Sequence, residues 1–443
     1  MSEIKVAKPP RPSIWKNGNY TWWLAGDTTG AIGRSFSMFI VSFVAYDLSG
    51  SEAISGSITT IMTVVMLVFA VPGGVITDRT DRRRLIYLYS TFAAIICLTL
   101  SGLIVAGQLS IGVFIGFMCL LGMVAGFFGE ATNASLRSIV QGSDYVHAQA
   151  ANQGRDAAVQ LAARPLAGLF YGIAAWLPYL LSGIMYAVQG LVFTRVKTSL
   201  EPRPTKEPEA DPQTELATLQ GEQMDMAGAS IAPVRQSMRK DFLEGFNYLM
   251  QRPTTRSLSI IVMIINLGTA GIGSAMTLSL IGRGYAAVEV GYVGVAVGAA
   301  VIVSSLVAGK LSAKSHTGLI TVLGLGWVVL VNIPLLFTDA YWVMIVCSFA
   351  LGLCLPIINA ALIGFIFGQA PEELQGRVGT VVNLAASGLA ALASITAGFV
   401  LEWTEFEVAC AVFLAICTAA FILALLSKRV RNIPVPEEWG QYE

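Results

Sequence analysis

Twelve apolar stretches, most about twenty residues long and almost free of charge, occupy most of this 443-residue chain. A stretch of that length crosses the hydrocarbon core of a bilayer as a helix, the form in which every backbone polar group bonds inside its own segment. The stretches begin near Trp22, Ile54, Leu85, Ile111, Gln149, Ala174, Leu258, Val290, Gly318, Tyr341, Gly379 and Val408. Charged residues are 13% of the chain and hydrophobic residues 55%. A soluble domain carries roughly 25% charge, so the polar surface that two or three soluble domains need is missing. The expected fold class is an all-α membrane protein.

A polar interruption divides the stretches six and six. The chain then reads as an N-terminal segment (1–20), a first six-helix half (21–196), a linker (197–256), a second six-helix half (257–428) and a tail (429–443). The linker opens on EPRPTKEPEADPQTELATLQGEQ, whose Pro, Glu and Gln content predicts disorder. Its later part, Met238 to Met250, sets Phe242, Phe246, Leu249 and Met250 at helical spacing with Arg239 and Lys240 opposite, which predicts an amphipathic helix on the membrane surface. The halves also repeat. Gln153-Gly154-Arg155 recurs as Gln375-Gly376-Arg377, Leu161-Ala162-Ala163 as Leu384-Ala385-Ala386, and Leu121-Gly122 as Leu351-Gly352. Such pairing predicts parallel six-helix repeats with a substrate site between them near the midplane.

Basic residues orient the bundle. With the N-terminus in the cytoplasm, the cytoplasmic segments hold about 25 of the 28 Lys and Arg, the external loops hold Arg283, and Arg34 and Arg164 fall inside spans. The positive-inside rule then places both termini and the linker in the cytoplasm. Net charge is zero and no basic block is interleaved with aromatics, which argues against nucleic acid as a partner. The six cysteines all lie in apolar runs, without metal-ligand spacing, and read as small core residues. Two histidines with no ligand cluster make a metal site improbable. No phosphate-binding loop of the G-x-x-x-x-G-K-[ST] type occurs in the linker, which disfavours ATP-driven transport. The polar, Pro-rich start is unlike a cleavable signal.

Between the second and third stretches the chain reads Gly73-Gly74-Val75-Ile76-Thr77-Asp78-Arg79-Thr80-Asp81-Arg82-Arg83-Arg84. This resembles the signature cytoplasmic loop of the major facilitator superfamily, G-x-x-x-D-R-x-G-R-R, through Gly74, Asp78, Arg79, Arg82 and Arg83, with Asp81 where the family usually has Gly. A small residue at Gly74 lets helices approach. Asp78, at a helix end, can accept from the free N–H groups of a neighbouring helix start. The resemblance implies that this contact shuts the cytoplasmic side in the outward-open state; the alternative is a loop that only sets orientation. The second half has a degenerate copy, Gly309-Lys310-Leu311-Ser312-Ala313-Lys314. Within the superfamily, Gly129-Glu130-Ala131, Arg164-Pro165-Leu166-Ala167-Gly168 and the stretch Lys240 to Pro253 are similar to the macrolide-efflux and enterobactin-exporter group. Two departures mark this chain: Glu130 replaces Pro, and Arg164 replaces Gly. The resemblance implies two pseudo-symmetric six-helix halves and a monomer in a bacterial inner membrane. It also implies export of a drug-like compound or siderophore in exchange for protons, without a cofactor and without enzymatic activity. Uptake on the same fold, or a receptor or lipid-handling protein with no coupled cycle, are the alternatives.

Charges within the spans are the functional candidates, because each costs about 2.5–3.5 kcal/mol at the bilayer centre. Asp27 and Arg34 share a face of the first span, roughly 10 Å apart along its axis, so each is expected to find its partner on another helix. Glu130 lies toward the cytoplasmic end of the fourth span and Arg164 deeper in the fifth. Asp27 is the first choice for carrying the proton and Glu130 the second; a fixed ion network, or for Glu130 simple contact with cytoplasmic water, is the alternative. The second half instead offers Asn266, Asn359 and Asn383 as neutral hydrogen-bonding groups. Two arginines nearest the midplane favour an anionic substrate, such as one bearing carboxylate or catecholate groups. Trp22, Trp23, Trp176 and Tyr179 are expected at the membrane interface, and Gly122, Gly126 and Gly129 in helix packing.

Overall fold

The structure is a computed structural model that describes residues 14–140, 143–200 and 238–442. Among these residues there is no strand. The first span is α1 (Gly18–Phe39) continued by α2 (Val41–Ser49), the second α3 (Glu52–Arg79), and the third α4 (Arg82–Val105). The fourth is α5 (Ile111–Phe128) with α6 (Ala131–Ile139), the fifth α7 (Ser143–Ile173), and the sixth α8 (Leu177–Phe193). After the linker come α9 (Met238–Gln251), α10 (Pro253–Gly282), α11 (Ala287–Lys314), α12 (Thr317–Asn332), α13 (Tyr341–Gln369), α14 (Glu372–Trp403) and α15 (Phe406–Leu426). Among the described residues ten helical segments are long and apolar enough to cross a membrane, and the shorter apolar α8 and the more polar α7 bring the bundle to twelve.

Local chemistry starts the helices where the sequence turns apolar. Asn17, Ser51, Asp81 and Ser110 cap α1, α3, α4 and α5 by accepting from backbone N–H groups of the first turn. Gly50 closes α2 in the left-handed region at φ 66°, a conformation that suits a residue without Cβ. The fifth and eleventh spans begin several residues earlier than Gln149 and Gly379, because their first turns are polar and carry no apolar signal. The expected disorder in the first part of the linker falls outside the described residues. The amphipathic helix is present as α9. Its Leu249 is buried and Gly245 packs against Arg377 of α14, whereas Leu243 and Phe246 are exposed.

Packing repeats between the two groups of six. In the first, α1 packs on α7 and α8, α3 on α5, and α4 on α5 and α8. In the second, α10 packs on α14 and α15, α11 on α13, and α12 on α13 and α15, which is the same pattern helix for helix. The groups meet where α3 lies against α14 and α7 against α11. Glycines set the closest approaches: a β-carbon on Gly122 would lie 2.6 Å from the Met62 carbonyl, and one on Gly126 would lie 2.4 Å from that of Met66. Their role in α3–α5 packing is therefore steric. Trp23 and Tyr179 correct the interface expectation. Both are fully buried, and the Trp23 indole N–H donates to Ser135 Oγ at 2.8 Å.

The tail is ordered rather than a simple extension. The amides of Thr317 and Gly318 at the start of α12 donate to the carbonyls of Pro434 and Ile433 at 3.2 and 3.1 Å. Trp439 lies against Phe365 and donates from its indole N–H to Thr317 Oγ1 at 3.0 Å. Free N–H groups at a helix start need such acceptors.

Candidate functional site

The charged cluster of the first group is built from α1 and α7. Asp27 is buried at 5% exposure, nine residues into α1, and its carboxylate accepts a charge-assisted hydrogen bond from Arg155. Arg155 also pairs with Asp156 at 2.9 Å and donates to Thr28 Oγ1 at 3.3 Å. One guanidinium therefore serves two carboxylates, of which Asp156 is half exposed and Asp27 is not. Beside the pair, the Tyr20 hydroxyl donates to Asn152 Oδ1 at 3.4 Å.

Sequence reasoning placed Arg155 at the mouth of the fifth span and counted it among cytoplasmic charges. The structure sets it twelve residues into α7, about 18 Å along the axis. The available signal was the repeat. Arg377, its counterpart in α14, also pairs with an acid, Glu244 of α9. A repeated arginine with a carboxylate partner in each group is a pattern that spacing alone does not show.

Arg34 makes no ion pair among the described residues. It lies within electrostatic range of Tyr89 on α4, Tyr186 on α8, and the carboxylates of Asp27 and Asp156. Arg164 is likewise without an acid partner among the described residues. It sits where α7 meets α11, so that a β-carbon on Gly294 would lie 2.8 Å from Arg164 Cδ. Glu130 does not join the cluster. It is exposed in the break between α5 and α6 and accepts from Asn133 Nδ2 at 3.2 Å. In the second group Asn266, Asn359 and Asn383 are exposed, and Asn266 Nδ2 donates to the Val262 carbonyl of its own helix at 2.8 Å.

The signature loop is bound to its own group. Arg83 donates to the carbonyls of Val196 and Thr198 after α8, and Arg82 to Ser138 Oγ at 3.2 Å near the end of α6. Arg79 is exposed, and the side chain of Asp78 lies outside the described set. Asp81 replaces the family glycine with an N-cap, accepting from the Arg83 amide at 2.9 Å. Gly74 differs from expectation: a β-carbon there would meet open space, whereas one on Gly73 would lie 2.3 Å from the Gly126 carbonyl. Close approach to α5 is made one residue earlier. A surface groove of about 420 Å³ between α11 and α13, lined by Tyr292, Val295, Trp342 and Phe349, holds none of these charges.

Comparison with known proteins agrees with this architecture. The family profile described as Major Facilitator Superfamily matches residues 28–315 and 258–442. No curated protein sequence matches the chain. Among solved structures, the nucleoside transporter NupG aligns with a TM-score of 0.69 at 10% identity, covering 92% of this chain and 99% of that one. A bacterial homologue of the iron transporter ferroportin, in an inward-facing state, aligns at 0.66 and 13% identity over 97% and 100%. A bacterial homologue of the human lysosomal transporter Spinster, inward-facing and unoccupied, gives 0.66 and 12% over 98% and 99%. At such identities the likeness is one of fold.

Proposed function

Because this chain belongs to the major facilitator superfamily, we propose that it is a secondary active exporter of amphiphilic small molecules, driven by inward proton movement, with both termini in the cytoplasm of a bacterial inner membrane. The observation that carries the reading is the buried Asp27–Arg155 pair with Asp156 as second partner. A lone buried charge is costly. A proton arriving on Asp27 leaves Arg155 still matched by Asp156, so the cluster can change protonation without stranding a guanidinium. The exchange loosens one tie between α1 and α7 inside the first group and changes the charge of that half by one, while the rocking itself takes place at the seam between the halves. Glu130, exposed and outside the cluster, becomes the weaker candidate for the proton.

Arg34 and Arg164 supply the case for an anionic substrate. Both lack an ion pair among the described residues, and Arg forks match carboxylate and catecholate oxygens. A siderophore fits better than a cationic drug. Outward direction rests on the resemblance of Arg164-Pro165-Leu166-Ala167-Gly168 to the exporter group.

One observation favours a second reading, uptake by symport. Asp27, Asp156, Arg155 and Arg34 sum to zero charge, and a proton on Asp27 makes the cluster positive, which favours an anion binding together with the proton. Proteoliposomes under a proton gradient of either sign separate the two. Antiport accumulates substrate on the acidic side, and symport accumulates it on the alkaline side. Counterflow without a gradient, in turn, distinguishes transport from a receptor role.

A further inference from the structure

The two groups of helices are tied by polar contacts at the end of the bundle away from the chain's termini, and one of these contacts is an acid that crosses the seam. Glu402 of α14 accepts from Ser51 Oγ at 2.7 Å and from the Ala53 amide at 3.2 Å, both at the start of α3. A carboxylate there meets the unpaired N–H groups and the positive end of the α3 dipole. Close packing surrounds it: a β-carbon on Gly56 would lie 2.1 Å from the Ser394 carbonyl, and one on Gly398 would lie 2.4 Å from that of Glu52. Two turns along, the Thr60 hydroxyl donates to the Ala391 carbonyl at 2.9 Å and accepts from the Ile395 amide at 3.0 Å.

The position of Glu402 has a counterpart. It is the penultimate residue of α14, and Asp78 of the signature loop is the penultimate residue of α3. These helices run antiparallel across the seam, so the start of each faces the end of the other. An acid in the last turn of a helix opposes its own dipole, so its favourable partner lies on another element. Glu402 has that partner in α3.

We propose that Glu402 is a positioning residue of the transport cycle, a latch that holds the end of the bundle remote from the termini closed by capping α3 across the seam. The contact suits repeated opening. Its carboxylate is exposed and rehydrates when the helices part, whereas a buried pair would be stranded. The inference rests on the alternating-access reading, but it concerns the balance of states and needs neither substrate nor proton gradient.

The test uses the full chain in nanodiscs, with spin labels at the exposed Gln108 and Phe337, in the loops of the remote end, and at Thr194 and Lys428 at the other end. Glu402→Ala is expected to raise the ratio of remote-end-open to remote-end-closed molecules roughly five-fold, a shift within reach of one charge-assisted cap. Thr60→Val, which removes the second bridge and keeps side-chain size, is expected to shift the Gln108–Phe337 distances the same way. Glu402→Gln keeps an acceptor without the charge and is expected to fall between wild type and Glu402→Ala. Gln108–Phe337 distances unchanged in well-folded Glu402→Gln and Glu402→Ala proteins would overturn the latch. Lengthening there with no matching shortening between Thr194 and Lys428 supports the latch and counts instead against alternating access.

Discussion

Arg155 stands between two carboxylates, and the consequences of removing either partner differ. Arg155→Ala leaves Asp27 buried without its counter-ion, a loss of about 3–5 kcal/mol for a broken buried pair, and thermal melting in detergent should show it. Adding Asp27→Asn to that variant removes the stranded charge and should recover most of the stability, while transport stays uncoupled. A double variant no more stable than Arg155→Ala would mean that the pair is not the source of the loss. At the other arginine, Arg164→Ala should weaken binding of a catecholate ligand far more than that of a neutral analogue; equal losses would remove the anion assignment. Asp27 and Arg34 were visible in the sequence because a charge in an apolar run is conspicuous. Arg155 was not, since the polar first turns of α7 hid its depth, and its partner lies 128 residues away in sequence. Which nitrogen meets which oxygen is a property of helix packing, and spacing along one helix does not contain it.

Helices were legible for a local reason: apolar length and N-capping residues act within a few residues, so the starts of α5 and α13 fell where the apolar runs begin. The contact faces between helices were less so. In the signature loop the pattern pointed to Gly74 as the small contact, yet Gly73 is the one against the Gly126 carbonyl, because the rotation of α3 about its axis is set by α5 and not by its own sequence. Gly126→Leu should therefore cost at least about 1–3 kcal/mol from overpacking and lower the melting temperature, whereas Gly74→Ala should leave it unchanged. A tolerant Gly126 would contradict the packing of α3 on α5. Asp78→Asn is expected to slow turnover with little loss of folded protein, since the acid's proposed contact belongs to one state of the cycle. Normal transport by that variant would reduce the loop to an orientation signal.

For the molecule as a whole, the repeated packing pattern of the two groups fits a rigid-body cycle, and the sidedness proposed for it rests on the distribution of basic residues. A cysteine at Gln108 should label from outside intact cells and one at Thr194 only after the membrane is opened; the reverse result would invert the topology. The central claim is that Asp27 couples proton movement to export, and proteoliposomes with an acidic lumen test it most directly, using a fluorescent catecholate outside. The wild-type chain is predicted to accumulate the probe in the lumen as the lumen turns alkaline, and Asp27→Asn to lose accumulation while it still exchanges probe by counterflow. Accumulation against the gradient by Asp27→Asn, or a wild-type chain that accumulates no probe in the acidic lumen but does so when the lumen is the alkaline side, would contradict the account.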